Sequence, residues 1–489
     1  MSLRRSRLAA LVVALVVVFG LLCIPDVPPD LPPAPTRGGA FSWDRDDFWQ
    51  SLEARYVEAR EHGCDEAPPA VALLFSELEA SLQDLAGRSA GPADPGFDRL
   101  ETAYFSLGPL LAACPTQLGD YLDYDERIRE AVKAQSRHWD MGSSPARSRI
   151  YRALYGARLA AEELMLHHPE RVPALVNGRD EPSAAPATVV EGVRIHSGDL
   201  LVSRGGYPTS ALIARGNDYP GNFSHVALVH VDPATHAASA IEAHIESGVV
   251  VSPVESYLDD KKLRIMVLRP RADLPQLLAD PLLGHRAATA MLQRALASHI
   301  PYDFEMDYQD PSKLFCSEVA SAAYAGRGIT LWSGLSTISR PGLRRWLADF
   351  GVRHFETEEP SDLEYDPQLV VVAEWRDAAL LMQDRIDNAT IDAMLDGADR
   401  GDRLRYRWYE LPLLRLAKGY SWVLNIFGQV GPVPEGMSAT AALRNRAFSD
   451  EERRIAALVA VGEADFAARN GYPAPYWTLV RLAEAATHH

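Results

Sequence analysis

Segments that read as β-strands are confined to the middle of this chain. They are 199–203, 226–231, 238–244, 249–251, 264–269 and 369–373, apolar runs separated by turn residues. Consecutive strands joined by short connections pair antiparallel. Outside 190–375 the apolar residues recur at helical spacing instead. Phe48, Leu52, Tyr56 and Ala59 form one such stripe, and Leu74, Leu78, Leu82 and Leu85 another. The pattern predicts an α+β protein: a helical bundle of four or five helices over 41–175, a domain with an antiparallel sheet over 190–375, and a helical region over 376–489. A length of 489 residues exceeds what one core usually supports, which agrees with several domains.

Local punctuation refines this. Ser144-Pro145 fits an N-cap followed by proline in the first turn and opens a helix to about residue 167. Residues 177–186 read as a linker, and 274–298 as mainly helical. Beyond 375, helices are expected over 377–395, 409–427 and 449–469, the last opened by the capping-box pattern Ser449-Asp450-Glu451-Glu452. The stretch 408–427 carries Trp408, Trp422 and Phe427 with Arg415 and Lys418. It is read as a core helix of the C-terminal lobe, with a helix lying on a membrane surface as the alternative.

The N-terminus sets the compartment. Arg4, Arg5 and Arg7 precede an apolar run of 17 residues, 8–24. That is at the short limit of a membrane span and long for a signal-peptide core. No small-residue cleavage site follows it, and Leu22 before Cys23 argues against lipoprotein processing. Residues 1–24 are therefore expected to be an uncleaved signal anchor, single-pass in the inner membrane. Its arginines would stay cytoplasmic and the body would be periplasmic or otherwise extracytoplasmic. The proline-dense segment 25–40 is read as a semi-rigid spacer. Cys64 and Cys114 fall near helix ends, where an oxidising compartment permits a disulfide; two separate buried thiols are the other reading. His167-His168 and His488-His489 are read as surface residues. The formal charge of −17 excludes a nucleic-acid backbone as partner and gives no attraction to anionic lipid.

Cys316 is the cysteine placed for chemistry. It sits where an extended run gives way to a helical pattern, and a thiol in a first helical turn is drawn toward thiolate. A thiol nucleophile needs a base, and the base an orienting group. His225 opens the strand 226–231, and Glu242 lies in the next strand, so the two can stand side by side on one sheet. His244 and Glu246 compete with Glu242 for the orienting role, and His244 shares its face. Asp199 and Asp303 suit turn N–H groups. Tyr302 either aims its hydroxyl at the reacting carbonyl or fills the core. No metal-ligand spacing is found among the four cysteines and the histidines, and no Gly-rich phosphate loop is found.

Five pieces in order, Gly198-Asp199-Leu200-Leu201, Phe223-Ser224-His225-Val226-Ala227, Ile241-Glu242-Ala243, Pro301-Tyr302-Asp303-Phe304 and Lys313-Leu314-Phe315-Cys316-Ser317-Glu318, resemble the permuted papain-like hydrolases of the NlpC superfamily, YiiX/YaeF-type branch. The histidine precedes the cysteine, as permutation requires. The resemblance covers roughly residues 190–350. It implies a Cys–His–polar triad of Cys316, His225 and Glu242, supported by Asp199, Ser224, Tyr302 and Asp303, that needs no metal or organic cofactor. It also implies hydrolysis or transfer at an amide or ester carbonyl through a thioester. The expectation is a membrane-anchored extracytoplasmic hydrolase of cell-envelope peptide amides. A lipid acyl hydrolase or acyltransferase, and a non-catalytic envelope scaffold, are the alternatives.

Overall fold

A computed structural model describes residues 2–33, 39–64 and 67–488, without the side chains of 2–10. The chain opens with helix α1 (Ser2–Leu22). The expected anchor lies partly outside the described side chains. Among the described residues no helix is long and apolar enough to cross a membrane. The described part of α1 exposes its apolar side chains on every side, from Leu11 to Leu21. Residues 34–38 of the expected spacer also lie outside the described residues. The rest of that spacer is tied down. The Asp26 carboxylate accepts from the Thr440 hydroxyl at 2.8 Å, and Arg344 donates to the carbonyls of Pro32 and Pro33 at 2.5 and 3.1 Å.

The bundle consists of α2 (Asp46–His62), α3 (Ala67–Ala86), α4 (Pro95–Ala113), α5 (Leu118–Ser136) and α6 (Ser144–His167). The stripes read from sequence supply its core: Leu52, Tyr56, Leu78, Leu82 and Leu85 are buried. Cys64 and Cys114 form a disulfide with Cα atoms 4.9 Å apart. His167 is not a surface residue. It is buried against Tyr56, whose hydroxyl lies 2.5 Å from its Nε2, because the last turn of α6 faces α2 rather than solvent. His489 lies outside the described residues.

The middle of the chain builds one seven-stranded antiparallel sheet. Its strands are β1 (Leu175–Asn177), β4 (Leu200–Gly205), β5 (His225–Val231), β6 (Ala238–His244), β7 (Gly248–Pro253), β8 (Lys262–Pro270) and β11 (Leu369–Arg376), in the order β1-β11-β8-β4-β5-β6-β7. β1 ends on Asn177, the first residue of the segment read as linker. The hairpin β2 (Ala187–Val190) and β3 (Val193–His196), and the short pair β9 (Ser336–Thr337) and β10 (Glu356–Thr357), stand apart. Gly198 carries the turn into β4 at φ +100°, and a Cβ there would sit 2.7 Å from the backbone of Gly284. Alternation sorts the sheet's two faces. Val226, Leu228, Ile241, Met266 and Leu268 meet the helices α10 (Leu283–Ala297) and α11 (Cys316–Ala325), whereas Ala227, Val229, Ala240 and Val267 pack with Tyr257 on the other face. The remaining helices here are α7 (Pro208–Arg215), α8 (Val254–Asp259), α9 (Pro275–Ala279), α12 (Pro341–Phe350) and α13 (Asp362–Tyr365).

The C-terminal region holds α14 (Ala378–Arg400), α15 (Leu411–Ile426), α16 (Ala439–Asn470) and α17 (Tyr476–Thr487). α16 starts well before Ser449. Ser438 is its cap and accepts from the Ala441 N–H at 3.1 Å, so Ser449 lies within a helix already running. α15 is not a core helix: only Leu411, Pro412 and Ser421 are buried, while Leu413, Leu416, Tyr420, Trp422 and Phe427 are exposed.

The three regions share a charged interior. Arg158 of α6 donates to Glu364 of α13 and Glu374 of β11, and Arg264 of β8 donates to Glu162 of α6 and Asp384 of α14. All six side chains are buried. A guanidinium so deep is tolerable only with carboxylates on every side, and each arginine here has at least two.

Candidate active site

Cys316 is the first residue of α11, and its neighbours hold the helix start in place. The Phe315 N–H donates to the Glu318 carboxyl at 2.7 Å. Burial pushes that carboxyl up to about 9, so at neutral pH it caps the helix without placing a negative charge beside the sulfur. The sulfur lies against the start of β5. Its S–H donates to the Ser224 carbonyl at 3.9 Å, and the Val226 N–H on the far side of His225 points to it. Cys316 is 4 % exposed. Burial pushes its thiol up to about 12, despite N–H groups from Val226 and Ser317 that favour thiolate. The expected drift toward thiolate is thus overridden, because removing the sulfur from water costs the anion more than the helix start returns.

His225 and Glu242 meet as the strand pattern predicts. Ala227 pairs with Glu242 across β5 and β6, so His225, two residues earlier on the same face, lies diagonal to the carboxylate. His225 Nε2 is 2.6 Å from Glu242 Oε2. His244 completes the group, its Nε2 3.0 Å from the same oxygen. Of the three residues weighed for the orienting role, two are therefore present together: Glu242 is the shared acceptor and His244 a second donor. Burial alone would raise the Glu242 carboxyl, but hydrogen bonds from the two imidazoles hold it well below the usual carboxylate range. Burial lowers His225 below its ordinary 6.5 against the pull of Glu242, whereas the bond to Glu242 raises His244. Among the described residues the hydrogen bonds of the thiol go to backbone groups and to Ser317 rather than to imidazole, and the His225 ring is turned to its carboxylate. The resting pair is neutral thiol and neutral imidazole.

The ligand atoms of His225, Glu242 and His244 lie within 4.8 Å of one another, the one grouping among the described residues with spacing suited to a metal ion.

The supporting residues separate. Cys316, Ser224, His225, Glu242 and Tyr302 line a single cleft of about 670 Å³. The Ser224 hydroxyl accepts from the Gly205 N–H at 3.3 Å, so its side chain braces β4 while its carbonyl meets the sulfur. Tyr302 is half-buried against the core and lines the cleft. Asp303 is buried and accepts from the N–H groups of Glu305 and Asp307 at 3.0 and 2.6 Å, which shapes the loop ahead of Cys316. Asp199 is not brought to the cleft. It accepts from Arg269 at 2.8 and 2.9 Å and from the His196 N–H at 2.7 Å, and lines a separate cavity. Glu246 lines the cleft without joining the imidazoles' carboxylate.

Sequence reasoning missed much of the cleft. Tyr257 stacks near His225, ring centroids 6.3 Å apart, and its hydroxyl donates to Ser203 at 2.8 Å. Asp260 and Lys262 flank it. The opposite bank comes from the C-terminal region: Pro432, Met437, Asn445, Arg446 and Arg453. Nothing local in the sequence marks these residues, since they lie far downstream of Cys316.

No curated protein and no solved structure matches the chain. Residues 194–373, which contain the sulfur, both imidazoles and the carboxylate, match the family described as permuted papain-like amidase enzyme, YaeF/YiiX, C92 family, and this match makes the middle of the chain a cysteine-hydrolase domain.

Proposed function

We propose that the protein is a membrane-anchored, extracytoplasmic cysteine amidase that cleaves peptide amides of the cell envelope. The observation that carries this is the His225–Glu242 pair at 2.6 Å in the same cleft as the Cys316 sulfur. Nε2 is committed to Glu242, which leaves Nδ1 to take the thiol proton. A turn of the ring toward the sulfur completes that contact, and such tightening on substrate binding is usual for catalytic hydrogen bonds. The sulfur then attacks the carbonyl and forms a thioester, and the imidazolium gives its proton to the departing amine. Water, deprotonated by the same imidazole, releases the acid and frees the thiol. Glu242 fixes the tautomer and stabilises the imidazolium. The Cys316 N–H, in the first turn of α11, is the oxyanion donor.

Three observations support the compartment and the substrate. The Cys64–Cys114 disulfide suits an oxidising space. The apolar surface of α1 suits lipid. Asp260, Lys262, Glu246, Arg446 and Arg453 around the cleft suit a zwitterionic peptide better than an acyl chain.

Mass spectrometry of envelope extracts incubated with wild type and with Cys316→Ala tests the reading. New peptide fragments made only by wild type are expected. Released fatty acid would instead favour a lipase, and no product a scaffold. A chelator leaves the activity unchanged if the thiol does the chemistry, whereas loss of activity on chelation would point to a metal held by His225, Glu242 and His244.

A further inference from the structure

We infer that α15 is an interfacial helix that lies on the outer face of an anionic bilayer beside α1. Leu413, Leu416, Tyr420, Val423 and Phe427 recur at three- and four-residue spacing, and all are exposed. They form a stripe along one face of the helix that a soluble surface does not ordinarily leave uncovered. Its occupant follows from its neighbour. α15 lies against α1, whose apolar residues are exposed all round. Arg415 fastens the two, donating to the carbonyls of Leu21 and Ile24 at 3.2 and 2.6 Å and to Asp26 at 3.2 Å. If α1 enters lipid, the stripe meets the same phase at the point of exit.

Charge points the same way. Arg403, Arg405 and Arg407, all exposed, precede the exposed pair Trp408-Tyr409 at the start of α15, in a chain whose net charge is −17. Clustered arginines next to amphipathic aromatic rings are the composition of a headgroup-level anchor. The inner side of α15 is committed elsewhere. The Ser421 hydroxyl accepts from the Val433 N–H at 2.9 Å, and Lys418 donates to the Pro434 carbonyl at 2.7 Å. Those two bonds hold the loop that carries Pro432 and Pro434 into the cleft. One helix therefore faces lipid on one side and supports a bank of the cleft on the other.

The inference rests on the anchoring of α1 proposed above, and one preparation reads the two separately. The full chain is reconstituted into phosphatidylcholine–phosphatidylglycerol vesicles in which a share of the lipid is brominated in its acyl chains. Flotation reports the anchor, and tryptophan quenching reports α15. Wild type is expected to float, and Tyr420→Trp, which puts a reporter ring on the stripe, is expected to float and add strongly quenched emission. Leu416→Glu, an exposed position, added to Tyr420→Trp is expected to float and lose most of that added quenching. Vesicles without phosphatidylglycerol are expected to weaken the quenching and leave flotation intact. Floating protein in which Tyr420→Trp adds no quenched emission would overturn the inference alone, including the case in which the added emission is blue-shifted but unquenched because a second protein covers the stripe. Protein that does not float would overturn the anchor and the inference together.

Discussion

At the scale of single residues, burial decides the protonation of the site. A thiol pushed up to about 12 next to an imidazole lowered from 6.5 makes a preformed ion pair unfavourable. The proton moves when substrate arrives, as in general-base catalysis. The base is active when neutral, so kcat/KM is expected to hold across neutral pH and fall as pH drops below 6.5 through the lowered pKa of His225. On the alkaline side it is expected to show no second limb until pH approaches 12. A pH–rate profile with an alkaline limb near 8 would contradict the buried thiol. Glu242→Gln removes the acceptor shared by two imidazoles and is expected to lower kcat by roughly 10²–10⁴-fold. His244→Ala is expected to leave kcat within about threefold, because the bond from His225 to Glu242 persists without it. Steady-state kinetics of the two variants separates the orienting carboxylate from its second donor. Cys316, His225 and Glu242 were legible in the sequence because each sits in a short local pattern on a predictable element. The raised thiol was not, since it depends on what packs over α11.

At the scale of elements, the strands and bundle helices were readable from spacing, and the errors share one cause. Periodicity says that a helix has an apolar face and does not say what covers it. That is why α15 read as core and stands exposed, and why the end of α6 read as surface and buries His167. Likewise Ser449 has the residues of a cap, yet Ser438 opens α16 earlier and makes that cap redundant. Cys64 and Cys114 end α2 and α4 close enough to bond, across a separation of 50 residues. Closing a loop of that size stabilises the folded state by roughly 2–4 kcal/mol. Denaturant unfolding with and without reductant is expected to differ by that amount, and Cys64→Ala with Cys114→Ala should match the reduced protein.

At the scale of the molecule, the sequence divides into three regions more sharply than the structure does. Arg158, Glu162, Arg264, Glu364, Glu374 and Asp384 come from both the bundle and the sheet, and from the C-terminal helices, yet they form one buried cluster. No local pattern announces such a cluster, because each member has its partners far away in the chain. Arg158→Met leaves carboxylates buried without their cation and is expected to cost about 3–5 kcal/mol. Calorimetry should show bundle and sheet melting in one transition in the wild type; separate transitions would mean that the cluster does not couple them.

The bank of the cleft that holds Asn445 and Arg453 has a practical corollary. A fragment trimmed to the matched stretch would retain Cys316 and His225 but lose a third of the residues that line the cleft. Swapping the tail of this chain for another would then retune which bonds are cut while sparing the machinery that cuts them.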